Sequence, residues 1–151
     1  LQNHLRILSA FYGILKPMDG VTPYRLEMQA KAEIEETTNL YDYWGDRLYH
    51  SVIDDSRTII NLASKEYSKC IERYLSDKDN YITITFCELS GDKLVTKGTY
   101  AKMARGEMVR FMAENNIENP VDIQKFDRLG YTFRGDLSSE TEYVFERKAI
   151  K

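Results

Sequence analysis

The sequence predicts an α+β fold, a mixed α/β arrangement of one mixed sheet with packed helices. It closes in a helix-hairpin-helix-like C-terminal element, all in a single domain over residues 1–151. Three observations point there. Stretches with helical spacing of apolar residues and stretches that alternate apolar with polar residues are intermixed, without strict β-α-β order. The composition, 42% hydrophobic with 12% aromatic residues, supplies enough apolar surface to offset the entropy of ordering the chain. No internal repeat and no Gly/Ser/Pro-rich linker divides it.

The opening run LQNHLRILSAFYGIL is apolar and periodic, and over residues 5–15 it reads as a helix end running into a short strand. KPMDGVTPYRLEM holds two prolines and a glycine, so it is a loop leading into an extended piece at Tyr24–Met28. Asn39 is placed to cap a helix running to about Ser51, with Asp42 in its first turn. Gly45 falls inside that helix, at a cost of about 1 kcal/mol relative to alanine. RTIINLA is rich in β-branched residues and reads as a buried strand, after which Ser64 caps a helix through about Leu75. YITITFCEL alternates Ile82, Ile84 and Phe86 with Thr83, Thr85 and Cys87, the pattern of a half-buried strand. SGDK turns that strand back into KLVTKG as a hairpin. Residues 99–115 make the longest helix, and Asn119-Pro120 starts another by the rule that places a cap before a first-position proline. YTF and EYVFERK form a closing hairpin.

The net charge of −3 is unevenly spread: residues 1–60 carry −3, residues 61–112 carry +2 and residues 113–151 carry −2. A mildly acidic total excludes a surface that is basic throughout, but not a local basic patch. Apolar runs are only a few residues long, so no membrane span is predicted. No charged-then-apolar leader opens the chain, and the expected location is cytoplasmic. Cys70 and Cys87 form no CxxC pair and make no zinc set with His4 and His50, so they read as buried, reduced thiols. No catalytic residue, metal or cofactor is predicted, because serine-hydrolase, zinc-protease, phosphate-loop and dinucleotide motifs are absent and the carboxylates show no catalytic pairing. Leu1, followed directly by apolar periodic sequence, points to a piece of a longer protein.

Three constellations carry the functional reading. On the helix 99–115, Ala101, Ala104, Met108, Phe111 and Met112 gather on one side, while Lys102, Arg105 and Arg110 fall within an arc of about 140° opposite. With Lys93 and Lys97 before the helix, segment 93–112 has five basic residues against one acid, Glu107. Such a face is either a solvated helix surface or one that tracks phosphates without reading bases. The connection NNIENP to the next helix outlines a helix-hairpin-helix, though it lacks the glycines of that motif. The second constellation is INLASKEY, where a strand ends at a helix start and places backbone N–H groups near Ser64 and Glu66. The third is PYRLEM, where Arg25 and Glu27 share one face of an extended segment.

Five ordered blocks, LRILSAFYGILKPMDGVTPYRLEM, LYDYWGD, INLASKEY, TYAKMARGEMVRFMAENNIENP and GYTF with VFERK, resemble the YaaA peroxide-stress-resistance family of bacterial proteins over essentially all 151 residues. If so, this chain is similar to the C-terminal three-fifths of a member. The resemblance implies resistance to hydrogen peroxide through limiting free iron and the DNA damage it drives. It also implies a mixed α/β fold with a helix-hairpin-helix and a positively charged cleft that binds double-stranded DNA by its phosphate backbone. Carried onto this sequence, the DNA-binding candidates are Lys97, Lys102, Arg105 and Arg110. The cleft candidates are Tyr24, Arg25, Glu27, Asn61, Ser64 and Glu66. Met103 stands where the family tends to have a second lysine, and Gly98 where it often has serine. The residues themselves keep an alternative open, an enzyme or small-ligand protein with a polar cleft around Arg25, Glu27, Ser64 and Glu66. Direct iron storage lacks the clustered carboxylates it needs. The oligomeric state is left open.

Overall fold

The N-terminal apolar run forms a hairpin rather than a helix end and one strand. β1 (Ile7–Ser9) pairs antiparallel with β2 (Gly13–Leu15), Ile7 opposite Leu15 and Ser9 opposite Gly13. Gly13 takes φ +82°, and a Cβ there would lie 2.9 Å from the ring of Trp44, so the hairpin closes onto that indole only with glycine. Trp44 answers by donating its Nε1–H to Ala10 O at 3.0 Å. The computed structural model describes residues 4–22, 26–34, 37–90, 92–96 and 98–148. They fall into two compact units, residues 1–59 with 63–80 and residues 60–62 with 81–151. Among the described residues no helix is long and apolar enough to cross a membrane.

In the first unit, β3 (Lys31–Ile34) pairs antiparallel with β4 (Thr37–Asn39), and α1 (Leu40–Trp44) follows at once. Asn39 caps it as expected, its Oδ1 accepting from Asp42 N at 2.8 Å. The helix expected to reach Ser51 breaks at Gly45, which takes φ 54°, and restarts as α2 (Arg47–Val52). β5 (Thr58–Asn61) leads to α3 (Lys65–Glu72). Ser64 stands at the cap position of α3, but its hydroxyl makes no capping bond; instead its carbonyl accepts from Tyr67 N and Ser68 N. Met28, Leu40, Leu48, Cys70 and Ile71 are buried here.

A polar clamp closes this unit. The Asp79 carboxylate, fully covered, pairs with Arg57 Nη2 at 2.6 Å, accepts from Ser76 N at 2.9 Å and from the Tyr49 hydroxyl. Arg57 reaches it from a left-handed backbone at φ 55°. The Tyr49 hydrogen bond, foremost, holds the Asp79 carboxyl below the usual carboxylate range. A carboxyl whose pKa falls on folding contributes stability that is full above its unfolded pKa and lost as pH drops through its folded one.

The second unit is a five-stranded mixed sheet ordered β5-β6-β9-β8, with β7 on the far end of β6. β6 (Asn80–Ser90) runs parallel to β9 (Glu142–Lys148), while β7 (Lys93–Val95) and β8 (Thr132–Phe133) are antiparallel to their neighbours. α4 (Gly98–Glu114) crosses between them. The expected α+β architecture is therefore present. The helix expected after Asn119 is a 3-10 helix over Pro120–Lys125, capped by Asn119 Oδ1 accepting from Val121 N at 3.1 Å. Ile82, Ile84 and Phe86 from β6, Ala101, Ala104, Met108 and Phe111 from α4, and Tyr143 and Phe145 from β9 share one core with Ile123, Phe126 and Tyr131.

Two measurements check this account. Phe111→Ala should lower unfolding free energy by about 3–5 kcal/mol in chemical denaturation, since its buried ring meets Phe126 edge-on at 5.4 Å; a loss under about 1 kcal/mol would refute the face assignment. Asp79→Asn should be less stable than wild type at neutral pH and should lose less further stability on acidification below about pH 4.

Candidate nucleic-acid interface

α4 is amphipathic because its alanines, Met108 and Phe111 recur at helical spacing and bury against β6 and β9. That burial turns Lys102, Met103 and Gly106 outward, with Met103 57% exposed. Lys102 is exposed and Arg105 half-buried. Burial pulls the Arg105 guanidinium below its ordinary pKa, yet an arginine stays cationic at neutral pH. The ion pairs of this helix involve other positions. Arg110 Nε meets Glu114 Oε1 at 2.8 Å, Glu114 Oε2 meets Arg128 Nη2 at 2.7 Å, and Arg128 Nη1 meets Glu107 Oε1 at 2.9 Å. Hydrogen bonds from Arg128 and then Arg110 hold the Glu114 carboxyl below the usual range. Arg110 is thus exposed but already shares its charge with Glu114, whereas Lys102 and Arg105 stand outside that network.

The cleft candidates divide between the units. Tyr24, Arg25 and Lys97 lie outside the described residues. Glu27 is exposed, with its carbonyl accepting from Ala30 N at 3.0 Å. Glu66 Oε1 accepts from Gln29 N at 3.2 Å, and Glu66 O accepts from the Tyr41 hydroxyl at 2.8 Å. Glu66 therefore ties the 27–30 turn and α1 to the start of α3. Asn61 belongs to the second unit, buried and donating through Nδ2 to Thr83 Oγ1 at 3.3 Å. Among the described residues no three His, Cys, Asp or Glu side chains gather in a metal-binding group.

One polar cluster escaped the sequence reading. Glu88 and Arg147 are register partners across β6 and β9, only 3% and 8% exposed, with Arg147 Nε 3.2 Å from Glu88 Oε1. The Arg147 guanidinium lies 4.2 Å from the ring centre of Tyr100. The signal was present in the alternation itself. Ile82, Ile84, Phe86 and Glu88 share one face, as do Tyr143, Phe145 and Arg147, so period two places both charges on the buried side.

The cysteines are buried and far from reactive. Burial pushes the Cys70 thiol up to about 11, and burial followed by Glu146 raises that of Cys87, which donates to Phe145 O at 3.5 Å. Both should stay mainly reduced by mass spectrometry after mild peroxide treatment, since the thiolate is the reactive form. Rapid oxidation of either would contradict this.

The family model described as Peroxide stress protein YaaA matches residues 1–137. A UPF0246 protein of Agathobacter rectalis is 80% identical over 148 residues, covering 98% of this chain and 59% of that protein. Similar proteins of the same description in Lachnoclostridium phytofermentans and Desulfitobacterium hafniense are 55% and 54% identical over 145 residues, each covering 96% of this chain. The chain spans 57% and 58% of those two proteins, so it covers less than two-thirds of the length of these relatives.

Proposed function

Because the chain belongs to the family of the peroxide stress protein YaaA, we propose that the full-length protein limits free-iron-driven damage during peroxide stress and binds duplex DNA through the cationic face of α4. Family membership supports the peroxide-stress role. The observation that carries the DNA reading is the pair of cations at Lys102 and Arg105, which lie on α4 outside its ion-pair network, beside exposed Arg110. A rigid helix held by a buried stripe presents these charges at fixed spacing, which suits phosphate contacts and leaves bases unread. Lys97 extends the patch in sequence just before the helix. The protein acts here by binding, without turnover.

The test is a titration of unrelated duplex sequences against full-length protein at several salt concentrations. Lys102→Ala and Arg105→Ala should each shallow the log–log salt slope by roughly 0.9, and Arg110→Ala by less because Glu114 already shares its charge. Affinity should change little between sequences. Equal slopes for wild type and the triple variant would sink the assignment of these residues, and no binding at low salt would sink the DNA reading.

A further inference from the structure

Of the four side chains in the α4 ion-pair network, Arg128 alone comes from another part of the chain, and it holds both acids. Its Nη1 lies 2.9 Å from Glu107 Oε1 and its Nη2 2.7 Å from Glu114 Oε2. Glu107 and Glu114 are two helical turns apart, so they stand on one stripe of α4 with a rise of roughly 10 Å between them. One guanidinium spans that stripe because its planar fork presents N–H groups in two directions at once. The same guanidinium lies 5.2 Å from the ring centre of Phe111, which sits on the turn between the two acids. The backbone of Arg128 is fixed as well. Its carbonyl accepts from Tyr131 N at 3.1 Å, across a turn whose central residues, Leu129 and Gly130, have φ 57° and 81°. Leu129 is 45% exposed, so its own packing does not impose that left-handed backbone; buried Tyr131 after the turn and clamped Arg128 before it do.

This placement bears on the sign of the interface. Arg110 comes three residues after Glu107 and four before Glu114, so the two acids bracket it on the helix surface. At 100° per residue both fall within about 60° of Arg110, whereas Lys102 lies farther round on the outward face. A bare carboxylate there would repel a backbone phosphate close to where Arg110 meets it. Salt does not hide such a neighbour, since screening acts over about 8 Å at physiological ionic strength. Arg128 supplies each acid with a partner: Glu107 at Oε1, and Glu114 at the oxygen that Arg110 does not use.

We infer that Arg128 is a positioning residue of the nucleic-acid interface: by holding Glu107 and Glu114 it keeps two carboxylates off the phosphate backbone and frees Arg110 to bind it. Arg110 exchanges Glu114 for a phosphate while Arg128 keeps Glu114 paired. Arg128 acts through the acids and makes no contact with DNA of its own. This inference rests on the DNA reading of α4.

A double-mutant cycle in the full-length protein tests it, read as duplex affinity at one low salt concentration. Arg128→Gln should weaken binding several-fold, alike for unrelated duplexes. In a background of Glu107→Gln with Glu114→Gln, where no carboxylate is left to hold, the same Arg128→Gln should change affinity by less than about two-fold. Arg110→Ala should cost more in wild type than in Arg128→Gln, where Arg110 stays bound to Glu114. Arg128→Lys keeps the charge but loses the fork, so it should fall between Arg128→Gln and wild type. It takes the place of Arg128→Gln in the cycle should that variant fail to fold. An equal loss in the two backgrounds would reveal a direct phosphate contact and overturn the proposal, as would wild-type affinity in a folded Arg128→Gln. Either outcome leaves the DNA reading standing, whereas wild type that binds no duplex overturns that reading and this proposal with it.

Discussion

Phe86 and Phe145 sit opposite each other on the parallel pair β6–β9, ring centres 5.5 Å apart, and the rest of the second unit is built onto that contact. Phe126, just past the 3-10 helix, meets both rings at 5.7 Å, and Phe111 reaches Phe126 from α4. Tyr131 closes on Phe86 at 5.0 Å and Phe133 on Phe145 at 5.6 Å. Parallel strands cannot be joined by a tight turn, so the chain between β6 and β9 must make a long crossover. Here that crossover contributes α4, the 3-10 helix and β8, and each contributes an aromatic ring or an apolar stripe to the same hub. Edge-to-face geometry fixes the rings relative to one another, which is why α4 has one rotational setting and its cations one direction.

The same register has a second consequence. Two residues beyond Phe86 and Phe145, on the same sheet face, come Glu88 and Arg147. Neither could be buried alone without a heavy desolvation cost, and the strand pairing that aligns the two rings also brings the two charges together. Buried ion pairs contribute little net stability compared with apolar residues of equal size. The guanidinium is held between Glu88 and the rings of Tyr100 and Tyr131, which ties the start of α4 and the residue before β8 to the end of β9.

Periodicity made much of this legible. The alternation of Ile82, Ile84 and Phe86, the buried stripe of α4, the Asn39 and Asn119 caps and the closing hairpin all follow from local spacing, and local spacing is what a chain displays. The failures have a common cause in tertiary contact. The 5–15 run is apolar in a way that fits helix or strand, and its hairpin is decided by the closeness of Trp44 to Gly13, thirty-one positions away. Gly45 looked like a costly interior glycine, whereas its positive φ ends one helix so another can begin. Ser64 has the residue type and backbone of a cap without the bond. For the candidate interface, spacing located Lys102, Arg105 and Arg110 on one side of α4, but it could not reveal that Glu114 and Arg128 had already enlisted Arg110.

That last point bears on how an acidic chain can present a cationic surface. With 24 acidic and 21 basic residues, the average charge says only that acids are in slight excess. What sets the local sign is which cations the acids reach. Arg57 is matched by Asp79, Arg110 and Arg128 by Glu114 and Glu107, and Arg134 by Asp136 and Glu146. These pairs tie turns and helices together, and across them the positive charge is largely cancelled at short range. Arg147 is matched by Glu88 in the same way, whereas Lys102 and Arg105 lie outside these pairs. At physiological ionic strength screening acts over about 8 Å, so an approaching phosphate responds to these local groups and hardly to the total of −3. The acidic residues thus sharpen the basic sites by neutralising the arginines around them.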